Sequence, residues 1–87
     1  MKVEFTKAFI RVYKKRFGRD VDFRKKFEVR TRLFSDNPKH PLLRDHGLIG
    51  ERIGSRAFSI TGDIRVIYYI YDNIAYFEDI GTHNQVY

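Results

Sequence analysis

The chain has 87 residues, with 17 Lys or Arg against 11 Asp or Glu, a net charge of +6. That length holds one small domain, 1–87, burying only about 60–65% of the extended chain's surface on folding, which excludes a TIM barrel or a full dinucleotide-binding fold. The absence of Cys excludes disulfide scaffolds, thiolate zinc sites and cysteine nucleophiles, and no apolar run approaches the ~20 residues of a membrane span.

Lys2 to Phe5 alternates polar and apolar residues, which predicts a short strand. Thr6 can cap a helix running to about Phe17, because Phe9, Ile10, Tyr13 and Phe17 make one apolar stripe. Gly18 stops it. Asp20 or Asp22 caps a second helix, with Phe23, Phe27, Arg30 and Phe34 on one line and Leu33 beside it. Asn37-Pro38 ends that helix. The short connection predicts an antiparallel helical hairpin. Residues 39–55 read as a loop, with Pro41, Gly47, Gly50 and Gly54. Ala57 to Ile60 reads as a strand, and Thr61-Gly62-Asp63 as a tight turn in which Gly62 supplies positive φ. Ile64 to Tyr71 is a strong strand. Asp72-Asn73 is a second turn, and Ile74 to Ile80 is the last strand. The order β-α-α-β-β-β predicts an α+β domain, a helical hairpin packed on a small, mostly antiparallel sheet.

The charge is concentrated. Thr6 to Phe34 carries eleven basic residues against three acidic ones, a net of +8, whereas Tyr71 to Tyr87 has three acids and no Lys or Arg. Lys14, Lys15, Arg24 and Lys25 in the basic stretch are candidate contacts to a polyanion. The competing reading is an ordinary solvated helical surface. The charged N-terminus does not read as a signal peptide, and the missing cysteines fit a reducing cytoplasm.

His40, His46 and His83 are the only histidines, and they lack the H-x-x-x-H or H-x-x-E-H spacing of a metal site. Neither a phosphate-binding loop nor a dinucleotide fingerprint is present, and no elbow motif surrounds Ser55 or Ser59. No metal and no cofactor are therefore expected. Arg56 and Arg65 flank a turn. Arg65 and Ile67 should face one way, and Ile64, Val66 and Tyr68 the other. Arg65 then needs either an ion pair, with Asp63 or Asp79, or an open face. His83 follows the last strand and Tyr87 lies four residues on. A His, an Arg and a Tyr on one sheet face suit phosphodiester chemistry. His moves protons near neutral pH, Arg holds a phosphate in its fork, and Tyr stacks on a base or donates a proton.

Three segments carry a resemblance. Asp45-His46-Gly47-Leu48-Ile49-Gly50 is similar to a D-H-x-L-x-G segment, Phe58 to Tyr68 to a hairpin with G-D-x-R-x-x-Y, and Asp79 to His83 with Val86-Tyr87 to a closing G-T-H-x-x-[VL]-[YF]. In this order they resemble the RelE/YafQ family of bacterial type II toxins, whose microbial ribonuclease-like fold the chain should share. The resemblance implies a metal-independent, ribosome-dependent mRNA endoribonuclease. In it the ribose 2′-OH attacks the adjacent phosphate and leaves a 2′,3′-cyclic phosphate. His46, Asp63, Arg65, His83 and Tyr87 match catalytic positions, and Arg56 is a candidate substrate contact. The implied partners are the ribosome, mRNA and a cognate antitoxin encoded by an adjacent gene, with no membrane. The chain departs from the YafQ branch in three places: Ser59 stands for a catalytic histidine, Ile64 for a tryptophan and Asp79 for an arginine. A carboxylate at that last position would weaken phosphate binding. The alternative reading is a toxin fold without ribonuclease activity, either a decayed toxin or a gyrase inhibitor like the related ParE toxins.

Overall fold

In the computed structural model, which describes residues 1–87, β1 (Lys2–Phe5) leads into α1 (Lys7–Arg16) and α2 (Val21–Asp36). Thr6 caps α1, its hydroxyl accepting from the Phe9 amide at 3.1 Å. Of the two candidate acids, Asp20 caps α2, accepting from the Phe23 amide at 2.9 Å. Gly18 takes φ +44° just past α1, where a Cβ would be strained, and its amide reaches back to the Tyr13 carbonyl at 3.2 Å. The two helices meet through aromatic rings: Phe17 stacks on Phe23 with centroids 4.0 Å apart, and Tyr13 meets Phe27 edge-on at 5.1 Å.

The sheet has the order β1-β5-β4-β3-β2, with β2 (His46–Gly47), β3 (Arg56–Ser59), β4 (Ile64–Tyr71) and β5 (Ile74–Thr82). Only the β1–β5 pairing is parallel. The fold is thus α+β, as the sequence predicts. Asp72 and Asn73, with φ of 51° and 64°, close the two-residue β4–β5 hairpin in the left-handed conformation such turns require. The β3–β4 turn differs from expectation, because Gly62 does not take a positive φ. There the Thr61 hydroxyl accepts from the Asp63 and Ile64 amides at 3.2 and 3.0 Å, so a side chain shapes the turn.

The helical hairpin covers one face of the sheet. Phe9, Phe27 and Phe34 pack on Phe58, Val66, Tyr68, Phe77 and Ile80, all buried. Phe34 stacks on Phe58 at 4.5 Å. Arg30, which falls on this apolar line, donates to the Leu42 carbonyl at 2.8 Å and ties α2 to the following segment. On the opposite face a smaller cluster joins Ala57 and Ile67 to Val86.

Four features escape the sequence reading. Residues 39–55 are not a plain loop, since they hold two 3₁₀ turns, Pro41–Leu43 and Gly50–Arg52, and the strand β2 on β3. β5 runs past Ile80 to Thr82 and passes into a one-turn helix, α3 (His83–Val86). β5 also carries a bulge: Tyr68 pairs with Phe77 and Ile67 with Asp79, leaving Glu78 as the extra residue. β3 begins and ends one residue before the predicted strand. No helix is long and apolar enough to cross a membrane.

Candidate active site

Register brings the site together. Arg65 lies opposite Ser59 on one side and Gly81 on the other, Ile67 lies between Ala57 and Asp79, and His46 pairs with Ala57. Directly opposed residues share a face. His46, Arg65 and Asp79 therefore share the face away from the helical hairpin. α3 lies over this face, with Val86 packed against Ala57 and Ile67. One helical turn places His83 and Tyr87 side by side, their rings edge-on with centroids 4.5 Å apart. The Arg65 guanidinium sits 6.0 Å from the Tyr87 ring centroid. Burial raises the Tyr87 hydroxyl above its ordinary range, against opposing pulls from Arg65 and Arg52. The phenol thus remains a proton donor at neutral pH. Beside it opens a groove of about 890 Å³ lined by His46, Leu48, Arg52, Gln85 and Tyr87.

His46 is held from two directions. Its predecessor Asp45 takes Arg56 Nε at 2.7 Å and Nη2 at 2.6 Å on one carboxylate oxygen, and the Tyr68 hydroxyl on the other. Burial, then the bond to Asp45, pushes the Tyr68 hydroxyl far up. His46 Nδ1 lies 2.9 Å from the Arg44 carbonyl. A carbonyl only accepts, so Nδ1 carries a proton, and in the neutral ring Nε2 holds the lone pair.

Asp79 does not present a bare carboxylate. Arg16 reaches one oxygen at 3.1 Å and Arg52 the other at 3.0 Å. The expectation that Asp79 opposes a phosphate is corrected, because two guanidiniums already compensate its charge. Arg65 pairs with neither Asp79 nor Asp63 and keeps the open-face alternative. Gly81 permits this close packing. A Cβ there would lie 2.6 Å from Gln85 Oε1 and 2.8 Å from Arg16 Nη1.

The structure sets His83 and Arg65 beside the Tyr87 ring, and His46 lines the groove with Tyr87. Asp63 stands exposed on the β3–β4 turn, next to the Ile64–Thr82 pair from which α3 begins. Arg56 is committed to Asp45. Lys14, Lys15, Arg24 and Lys25 are exposed on the helical layer, away from the groove, and Arg24 lies 3.8 Å from Glu28. Ser59 is buried at 6% exposure opposite Arg65, so it offers no accessible base. His40 accepts from the Leu42 amide at 3.1 Å as the cap of a 3₁₀ turn. No three His, Asp or Glu side chains are gathered to hold a metal ion. Arg52 is the residue the sequence reading missed. A lone arginine in a glycine-flanked loop carries no periodic signal.

The family model of YafQ, the bacterial toxin of type II toxin–antitoxin systems, matches residues 1–87. No curated protein sequence matches the chain. Among solved structures, YafQ from E. coli strain BL21(DE3) is 25% identical with a TM-score of 0.81, covering 99% of this chain and 97% of that one. The E. coli DinJ–YafQ complex matches at 26% identity and TM-score 0.75, covering 99% and 97%. A YoeB/ParE toxin from Agrobacterium tumefaciens, 20% identical with TM-score 0.74 over 95% and 99%, shares the fold. Matched over its full length, the chain belongs to the YafQ family of type II toxin–antitoxin toxins.

Proposed function

We propose that this toxin is an mRNA endoribonuclease acting on ribosome-bound message. The observation that carries the reading is Tyr87, which lines the groove with His46 and has the His83 ring and the Arg65 guanidinium beside its own ring. These groups suit attack by the ribose 2′-OH on the adjacent phosphate. His46 Nε2 takes the 2′-OH proton as general base. The 2′-oxygen bonds to phosphorus, the bond to the 5′-oxygen breaks, and protonated His83 returns a proton to that oxygen. Arg65 holds the non-bridging oxygens as charge develops. Tyr87 stacks on the neighbouring base or hydrogen-bonds the leaving oxygen. Asp63, exposed on the β3–β4 turn, is a further acceptor in this reading. The products are a 2′,3′-cyclic phosphate and a 5′-OH. Side chains alone supply this acid–base work, so the reading needs no metal.

The partners follow. The DinJ–YafQ complex has a YafQ toxin bound to DinJ, and an antitoxin encoded next to this gene is the corresponding partner here. The exposed basic residues of α1 and α2, Lys14, Lys15, Arg24 and Lys25 among them, suit ribosomal RNA or an acidic antitoxin segment. A cytoplasmic site of action goes with that substrate. The test is incubation with mRNA-programmed ribosomes, followed by mapping of new 5′-OH ends. Cleavage at ribosome-protected codons supports the reading. Intact message with blocked replication in cells would instead favour a gyrase inhibitor, the reading that Ser59, in place of a catalytic histidine, supports.

A further inference from the structure

Arg52 ends the 3₁₀ turn Gly50–Arg52 and lies against the β5 bulge. The bulge sets two consecutive acids, Glu78 and Asp79, within its reach. Arg52 Nη2 donates to Asp79 Oδ2 at 3.0 Å, while Nη1 lies 3.7 Å from Glu78 Oε1. Both acids have other partners as well. Asp79 Oδ1 accepts from Arg16 at 3.1 Å and from the Ile80 amide at 2.9 Å, and Glu78 accepts from the Ser55 hydroxyl at 2.8 Å. A guanidinium has five N–H donors in a flat fork. Here Nη2 bonds to Asp79 and Nη1 faces Glu78, which together orient the fork, while the Nε–H makes no hydrogen bond within the chain.

The same side chain lines the groove with His46 and Tyr87. Arg65 approaches the Tyr87 ring from β4. Both arginines act on the Tyr87 hydroxyl, pulling its proton affinity down against burial. The loop also sets Ile49 and Ile53, 88% and 78% exposed, on either side of Arg52. Exposed apolar side chains beside a cation suit a ligand with a flat apolar face and a negative charge, as a nucleotide has.

We propose that Arg52 is a second phosphate-binding arm of this site, acting beside Tyr87 together with Arg65. The inference rests on the ribonuclease reading and adds a contact that neither the motif segments nor their spacing assign. Two arms from separate elements hold a phosphodiester in a fixed orientation, which a single arginine on a strand cannot do. Asp79 is then a support that aims Arg52.

Adenosine 3′-monophosphate is the probe. In low salt it is titrated into the ¹⁵N-labelled full chain while the arginine Nε–H signals are followed. The signals of Arg52 and Arg65 should both move and fit one Kd. Arg52→Ala should weaken that Kd by roughly tenfold to a hundredfold, and Arg52→Lys should recover part of the loss. On programmed ribosomes Arg52→Ala should lower kcat/KM by a similar factor. An Arg52 signal that stays still while Arg65 moves, with unchanged affinity in Arg52→Ala, overturns the inference. If the wild-type chain cleaves message and Arg52→Ala cleaves equally well, the inference fails and the ribonuclease reading stands. If the wild type neither cleaves nor binds the nucleotide, both fall.

Discussion

Asp45 holds Arg56 at 2.6 and 2.7 Å on a single carboxylate oxygen, and this grip fixes the backbone immediately before His46. The other oxygen takes the hydroxyl of Tyr68, which is 1% exposed. β2 is two residues long and cannot hold itself by pairing alone. The carboxylate fastens it to β3 through Arg56 and to β4 through Tyr68. Asp45 is thus a positioning residue.

Asp45→Ala strands the Tyr68 hydroxyl in the core. An unsatisfied buried hydroxyl costs about 1–3 kcal/mol, so the urea midpoint should drop with an unchanged slope. Asp45→Asn keeps an acceptor for Tyr68 and loses the charge on Arg56, and it should fall in between. An Asp45→Ala protein unfolding at the wild-type urea concentration would show that the clamp contributes nothing.

His83→Ala and Arg65→Ala should each abolish growth arrest in cells while the protein stays folded. His83 is exposed at the start of α3, and Arg65 forms no ion pair, so neither change should move stability by more than about 0.5 kcal/mol. Loss of a general acid should slow cleavage by about 10²–10⁴. Native-like circular dichroism together with full toxicity in both variants would place the active site elsewhere.

The six main elements are legible in the sequence because each is long enough to show its period. β2 is not, since two residues have no alternation to read. α3 is a single turn, yet its signal was there: Thr82 and Gln85 stand three apart, and the Thr82 amide donates to Gln85 Oε1 at 2.8 Å. The bulge also leaves a trace. Phe77 and Ile80 are both buried although three residues apart, so the period-two pattern breaks between them. For the candidate site, motif matches supplied His46, Asp63, Arg65, His83 and Tyr87. The anchoring of Asp79 by Arg16 and Arg52 spans 63 and 27 residues of chain, and no local pattern reports it.

Tyr68 should shape the alkaline limit of stability. Its ordinary pKa of 10.0 is raised in the fold, first by burial and then by the bond to Asp45. Below about pH 10 both folded and unfolded states keep the proton, so the contribution is flat. Above it the unfolded chain releases the proton and the folded one does not. Stability must then fall as pH rises, by at most about 1.4 kcal/mol per pH unit for this group. Tyr68→Phe should flatten that limb, leaving the smaller slope due to Tyr13 and Tyr87, which are shifted the same way. Melting temperatures measured between about pH 9 and 11 decide it. Identical slopes for the two proteins would mean that Tyr68 ionises as easily folded as unfolded.

Gly81 couples the sheet to α3, and Gly81→Ala tests that coupling. The added Cβ would lie 2.6 Å from Gln85 Oε1, 3.0 Å from Gln85 Cβ and 2.8 Å from Arg16 Nη1. The ends of Gln85 and Arg16 are flexible and can swing aside. Doing so gives up the bond between Gln85 and the Thr82 amide and loosens Arg16 from Asp79. The Gln85 Cβ contact also lifts α3 and separates Tyr87 from Arg65. The stability cost should be about 1–3 kcal/mol, and cleavage should fall further than stability alone explains. Gln85→Ala loses the cap but removes the side-chain end nearest the new methyl. In a double-mutant cycle the two changes should therefore cost less together than the sum of the singles, by about 0.5 kcal/mol or more. Additive losses would show that the methyl at position 81 is accommodated without touching Gln85, and that the helix is positioned by Val86 in the core alone.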